Sequence, residues 1–380
     1  DTAGIADLLE VIKLSQTLIV NISKSGGTQE TKNNMIALIR AFEKENLDFS
    51  KNACAITMEN SELDKFAKAN NWLKTFPMAE SIGGRTSETS IVGHLPAALA
   101  GINFKELLAG ACHMDEWTRN PDHKKNPAYM LALCWYIAGK GKGEKNMVIV
   151  PYSDRLILLS RYLQQLVMES LGKERDRDGK LVCQGLNVFG NKGGTDAHAF
   201  IQQLNDGKDD FFATFIEVLK DPLRIPIDNS VEMGDYLHGF QVGLTNALLE
   251  KNRSVITIKI NEVNPFYIGM LIALYERAVA FYAELININA FHQPGVQAYK
   301  LASREIIKLQ NKLIENAEEI AGENLNAIEI ARKLSIPDRT KEIEGILAKF
   351  AENSKEKKLG RFTVNRKFDI NKNCWLFDIK

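Results

Sequence analysis

No charge of one sign dominates this sequence: 48 Lys and Arg residues balance 48 Asp and Glu residues across 380 positions. A nucleic-acid binder takes much of its affinity from a cationic surface that releases counterions. A net charge of zero, with no Lys/Arg-rich block, therefore argues against such a partner. Cysteine is scarce too. Cys54, Cys112, Cys134, Cys183 and Cys374 form no C-x-x-C pair and are odd in number. That argues against a disulfide framework or a zinc site, and predicts reduced, mostly buried thiols in a cytosolic protein. The apolar runs YMLALCWYIAG and IGMLIALYERAVAFYAEL are too short, or too interrupted by charge, to supply the roughly 20 clean residues of a membrane span, so no membrane partner is expected. The G-x-x-x-x-G-K-[ST] pattern is missing, which argues against a nucleoside triphosphatase. No second histidine stands at a metal-ligand spacing from His198, so no metal is expected. A secretory signal is also lacking. The chain opens on DTAGIADLLEVIKLS, a helical pattern with no strand before it, and an N-terminally longer natural protein is expected.

What the sequence does have is alternation. Short β-branched runs such as TLIVNI, ACAITM and NMVIVPYS are each followed by an amphipathic helical pattern. Continuous apolar strands separated by helices predict parallel sheets covered on both faces, an α/β fold. The pattern occurs twice, and the helix PAYMLALCWYIAGK (residues 127–140) reads as the bridge between the two sets. The boundaries expected are 1–125 for the first α/β subdomain, 126–320 for the second, and 321–380 for a small C-terminal module. That module reads as two short helices and a β-hairpin, a winged-helix-like α+β pattern. A winged helix can bind DNA, but the neutral charge favours a module packed on the body or on a partner subunit.

The stretch NISKSGGTQET follows the first strand pattern and leads into a helix carrying Met35, Ile36, Leu38, Ile39 and Phe42 at helical spacing. Such a helix start aims unpaired N–H groups and the positive end of its dipole into the loop. Ser23, Ser25 and Thr28 add hydroxyl donors, Lys24 adds a charge, and the two glycines admit close approach, so the loop suits a phosphate. The same residues would also serve an ordinary helix cap.

Four further stretches set reactive side chains at loops or helix ends. In ESIGGRTSETSIVG, the turn Gly83–Gly84–Arg85 puts a permanent cation beside backbone donors, suited to an oxyanion; a solvated surface turn is the alternative. In YLQQLVMESLGK, Glu169 lies near the end of a largely apolar helix, where partial burial keeps a carboxylate basic enough to abstract a proton. The alternative is an exposed glutamate near Lys173. In FGNKGGTDAHAFIQQL, a helix begins at Gly-Gly-Thr-Asp and carries His198 in its first turn, where an imidazole can relay a proton; a structural histidine is the alternative. In NAFHQPGVQAYKLAS, Gln293 precedes a Pro-Gly turn and Lys300 follows two helical turns along the same face. There a lysine could bind an oxygen or donate a proton, or simply cover a helix surface.

Together the stretches SKSGGTQET, IGGR, QQ…MES.GK, G…H.F.QQL..G and F.Q.GV…K, in this order, resemble the phosphoglucose isomerase (glucose-6-phosphate isomerase) family, with its two sugar-isomerase (SIS) subdomains. The resemblance covers residues 1–316. It implies that Ser23, Lys24, Ser25 and Thr28 hold a sugar phosphate, with Gly84, Gln165 and Gln293 also contacting the sugar. It implies Glu169 as the base moving a proton between C1 and C2, and Arg85 as the cation stabilising a cis-enediolate. His198 and Lys300 would assist ring opening, with the histidine supplied by the neighbouring subunit of a homodimer. The implied activity is interconversion of glucose 6-phosphate and fructose 6-phosphate, without a cofactor, in cytosolic glycolysis and gluconeogenesis. Isomerising an aldose needs a proton removed beside a carbonyl, negative charge held, and the proton returned. One carboxylate and one fixed cation suffice for that in principle. A non-catalytic sugar-phosphate sensor is the alternative, but it would have no use for Glu169, His198 and Lys300 together. The sequence departs from the family pattern at Thr86, at Glu88 where an apolar residue is usual, in QQLNDGKDD, and at Gln297.

Overall fold

The computed structural model describes the backbone of residues 1–380 and every side chain except those of residues 296–299, among which Gln297 falls. The chain divides into two compact units, Asp1–His292 and Gln293–Lys380.

The first unit begins with α1 (Thr2–Val11), then β1 (Ile19–Ile22), α2 (Gln29–Lys44), β2 (Ala53–Thr57), α3 (Glu62–Ala69) and β3 (Lys74–Pro77). The three strands form a parallel sheet in the order β1-β2-β3. All five residues of β2 are buried, as a central strand covered on both faces requires. Helix α2 buries Met35, Leu38 and Phe42 at a spacing of three and four residues, its apolar stripe against the sheet. Phe42, Phe49 and Trp72 close this core edge to face.

Helices α4 (Ile91–Leu99), α5 (Phe104–Thr118) and α6 (Pro127–Ala138) lead to a second parallel sheet. Asn126 caps α6, accepting from the backbone N–H groups of Ala128 and Tyr129 ahead of its Pro127. The sheet is built from β4 (Asn146–Pro151), β7 (Val188–Gly190), β8 (Phe211–Val218) and β9 (Ser254–Ile260), in the order β7-β4-β8-β9. Between them run α7 (Leu159–Leu163), the small antiparallel ribbon β5 (Lys173–Arg175) and β6 (Leu181–Gln184), α8 (Ala197–Asp206) and α9 (Met233–Glu250). Seven of the eight residues of β8 are buried. A fully buried Phe contributes about 1.5–3 kcal/mol relative to exposure.

Helix α10 (Pro265–Leu285) packs on α5 and α6 through the same core. At 21 residues it is long and apolar enough to cross a membrane, contrary to the sequence expectation. Most of its apolar window is buried, with Trp135, Tyr275 and Tyr282 packed ring against ring. Helices α5 and α10 approach so closely that a Cβ on Gly110 would lie 1.8 Å from the Phe266 carbonyl oxygen. One on Gly269 would lie 1.9 Å from that of Leu107. The approach depends on these two positions having no side chain.

The second unit comprises α11 (Gly295–Glu315), β10 (Gly322–Asn326), α12 (Ala327–Lys333), α13 (Thr340–Glu352), β11 (Val364–Asp369) and β12 (Cys374–Ile379). Its antiparallel sheet runs β10-β12-β11. The two short helices and the hairpin match the sequence pattern, whereas β10 carried no strand signal in its polar run GENLN. The unit begins near residue 293, ahead of the boundary expected at 320, because Leu309 and Leu313 of α11 pack into its core with Ile330, Leu347 and Phe377.

The five cysteines are all free, but the expectation of mostly buried thiols fails: only Cys54 is buried, and Cys112 and Cys183 are exposed.

Candidate active site

The loop after β1 is stitched to the connection after β2. The Ser23 N–H donates to the carbonyl of Ile56 (3.1 Å), the Met58 N–H to that of Lys24 (3.1 Å), and the Glu62 N–H to that of Ser25 (3.1 Å). Within the loop, the buried Ser23 Oγ accepts from the Gly26 N–H, and Ser25 Oγ from the Gly27 N–H, both at 3.1 Å. Gly26 sits at φ +81°, and a Cβ there would lie 2.4 Å from the Leu63 nitrogen, so only glycine fits this turn. Thr28 occupies the N-cap of α2 without a capping bond from its hydroxyl, and Ser25 and Thr28 are exposed. The loop thus sets its hydroxyls at the carboxyl end of a parallel strand and the N-terminus of a helix, where anions bind in such sheets.

Lys24 Nζ donates to the carbonyl of Glu80. Through that bond the loop holds the segment leading to a short 3-10 turn, Gly84–Thr86. Arg85 in this turn is largely buried, its side chain 12% exposed. One terminal nitrogen donates to Ser170 Oγ (2.8 Å) and to the Ala290 carbonyl; the other donates to the Phe291 carbonyl (3.1 Å). Its Nε lies 3.8 Å from Oε1 of Glu169, whose side chain is 20% exposed. Gln165 Nε2 donates to the other carboxylate oxygen (3.2 Å), and that amide faces the backbone of Gly84, where a Cβ would stand 3.6 Å from it.

The helix carrying Glu169 is not uniformly α. Residues Gln164–Glu169 form a π-helical turn continuing α7, a local widening that occurs disproportionately at functional sites. Nothing in QQLVME signals it, since helical periodicity is the same to within a residue. Sequence reasoning also missed Ser170 and Lys173. Lys173 is 5% exposed, and its Nζ donates to the carbonyls of Glu169 (3.0 Å) and Ser170 (2.6 Å), not to the carboxylate of Glu169. Burial pulls its ammonium down to about 8; the Arg85 charge adds to this and the Glu169 carboxylate opposes it.

Gly84, Arg85, Gln165 and Glu169 are therefore brought together. His198 lies at the second position of α8 and is exposed. Gln293 and Lys300 belong to the second unit, at its first residue and half-buried on α11. Glu88 is half-buried with Oε2 unpaired among the described residues, and burial pushes its carboxyl up.

The sequence pattern described as "Phosphoglucose isomerase" matches residues 1–323. The chain belongs to the phosphoglucose isomerase family. Relatives in that family include the glucose-6-phosphate isomerase of Gloeothece citriformis, 52% identical over 359 residues, covering 93% of this chain and 68% of the relative. That of Trichormus variabilis is 52% identical over 361 residues with the same coverage. Among solved structures, a glucose-6-phosphate isomerase from Chlamydia trachomatis superposes with a TM-score of 0.73 at 29% identity, over 82% of this chain and 63% of that one. A hypothetical protein from Thermus thermophilus gives the same TM-score and identity, over 81% of this chain and 75% of that one. The phosphoglucose isomerase fold is thus the α/β architecture of paired parallel sheets described above, and the chain is an aldose–ketose isomerase.

Proposed function

We infer that this chain interconverts glucose 6-phosphate and fructose 6-phosphate, with Glu169 as the base. The observation that carries the reading is the pairing of a largely buried carboxylate with a largely buried, permanently charged guanidinium, Glu169 and Arg85, 3.8 Å apart. In the aldose-to-ketose direction, the Glu169 carboxylate takes the proton from C2. The C1 carbonyl oxygen gains the negative charge of a cis-enediolate, the hydroxyl proton shifts from O2 to O1, and Glu169 returns its proton to C1. Arg85 stabilises the charge while it exists. Fixed by hydrogen bonds to Ser170, Ala290 and Phe291 among others, it needs no reorganisation at the moment of reaction. Gln165 donates to the second carboxylate oxygen and so helps to orient the group.

Ser23, Lys24, Ser25 and Thr28 hold the phosphate, and the bond from Lys24 to Glu80 ties that loop to the segment bearing Gly84 and Arg85. His198 and Lys300 assist ring opening, and Gln293 contacts sugar hydroxyls. The exposure of His198 supports its reaching a neighbouring subunit's site in a homodimer. A cytoplasmic site of action belongs to the same proposal. A sugar-phosphate sensor would not need the buried Arg85–Glu169 pair, so the isomerase reading is preferred.

A coupled assay with fructose 6-phosphate tests the base. Glu169→Gln keeps the shape but cannot accept a proton, so kcat should fall by roughly 100- to 10,000-fold with KM little changed. Normal turnover would refute the assignment.

A further inference from the structure

The group behind the catalytic carboxylate, not the carboxylate itself, carries a further inference. A helix ends with unpaired carbonyls and the negative end of its dipole. Here the chain turns after Leu171 into β5, whose first residue, Lys173, pairs with Gln184 of β6. The strand pairing fixes the backbone of Lys173, and its side chain folds back so that the ammonium bridges the carbonyls of Glu169 and Ser170. The neighbouring carbonyl of Met168 accepts from the Gly172 N–H (2.9 Å). Arg85 grips the same turn through Ser170 Oγ.

An ordinary helix end is closed by glycine or by exposed lysine at little expense. This one uses a buried cation that makes no ion pair among the described residues and stands close enough to Arg85 to feel its charge. Burying a cation against two peptide oxygens is unfavourable unless its field or its position is used. The groups that face it are Arg85 from the 3-10 turn and Glu169 from the π turn.

We propose that Lys173 is a positioning residue for the isomerisation: it locks the π turn so that the Glu169 carboxylate stays aimed beside Arg85. The proposal rests on Glu169 being the base. Lys173 does not touch the substrate and transfers no proton.

Three variants of the full chain test it, with Glu169→Gln as a separate control. In Lys173→Met, KM for fructose 6-phosphate should stay within about threefold, because the phosphate loop is untouched, while kcat falls about 10- to 100-fold through misplacement of the base. A lower kcat beside an unchanged KM is the split expected of a displaced base and not of a loosened fold. Lys173→Gln keeps a donor: it should recover part of kcat, and it supplies the same readout if the Met variant does not fold. Lys173→Arg, which keeps donors for both carbonyls, should recover more of kcat than Lys173→Gln. Parental kcat in the folded Met variant, or in the Gln variant where the Met variant does not fold, would overturn the proposal. So would a loss confined to melting temperature with kcat in place. Glu169→Gln separates the two ideas: if it turns over normally the base assignment itself falls, whereas an inactive Glu169→Gln beside unaffected Lys173 variants removes only the role of Lys173.

Discussion

At the scale of single residues, chemistry depends on what each side chain is denied. Arg85 is denied water on most of its surface and is given fixed acceptors instead, Ser170, Ala290 and Phe291 among them, so its charge is preorganised for a developing anion. Arg85→Lys should therefore lower kcat by more than about tenfold even though charge is kept, because an ammonium cannot span Ser170, Ala290 and Phe291 as the fork does. Steady-state kinetics would check this, and a Lys variant as active as the parent would show that charge alone suffices. In the phosphate loop, Lys24→Ala combined with Thr28→Ala should raise KM for sugar phosphates by roughly 10-fold or more while kcat changes less, the loss expected for charge-assisted hydrogen bonds. At this scale the sequence points to a partly buried Glu169 and to a hydroxyl-rich loop at a helix start, and the structure has both. Glu169, Arg85 and the loop hydroxyls stand in motifs whose chemistry is readable. Lys173 was not, because the burial of a lysine depends on the ribbon β5–β6 that folds it inward.

Elements show where local patterns stop being sufficient. The buried strands β2, β4 and β8 were legible as continuous apolar runs, and α6 as a capped apolar helix. The π turn was not, since one extra residue in a helical turn leaves no trace in composition. Strand β10 was missed because a polar edge segment gains its ladder hydrogen bonds only from β12, at the far end of the unit. The tight α5–α10 crossing was also hidden, as a glycine in a helix signals packing only once its neighbour is known. Gly269→Ala should destabilise the protein by at least about 1–3 kcal/mol, seen as a lower urea midpoint, since backbone must move to admit the methyl. Helix α10 makes a pH prediction as well. Burial, with the Glu88 charge behind it, pushes the Glu276 carboxyl up to about 7, and Oε1 has no partner among the described residues. A carboxyl raised in the folded state binds more protons there than when unfolded. Its contribution is fully present below the ordinary carboxyl value of 4.5 and lost as pH rises through about 7. Glu276→Gln should thus raise the melting temperature at about pH 8 relative to the parent and make little difference at about pH 4. Equal effects at both would contradict the burial argument.

For the molecule as a whole, the two parallel sheets of the first unit set their loops so that a turn after β3 reaches the helix after β4. Class and sheet type followed from alternation alone, but the division of the chain did not. Helix α11 reads as a continuation of the α/β pattern, and only its packing assigns it to the C-terminal core. Assembly yields a prediction at this scale. If His198 serves the partner's site, mixing Glu169→Gln with His198→Ala chains under conditions that exchange subunits should restore activity, because each mixed dimer then holds one intact site. No recovery would place the histidine in its own subunit's site or outside the mechanism.

The most direct test follows the proton at carbon. With fructose 6-phosphate in heavy water, the parent chain should incorporate deuterium at C1 as Glu169 exchanges its proton with solvent between transfers, and Glu169→Gln should incorporate none above the uncatalysed background. Deuterium entering C1 at the parental rate in that variant would show that another group moves the proton.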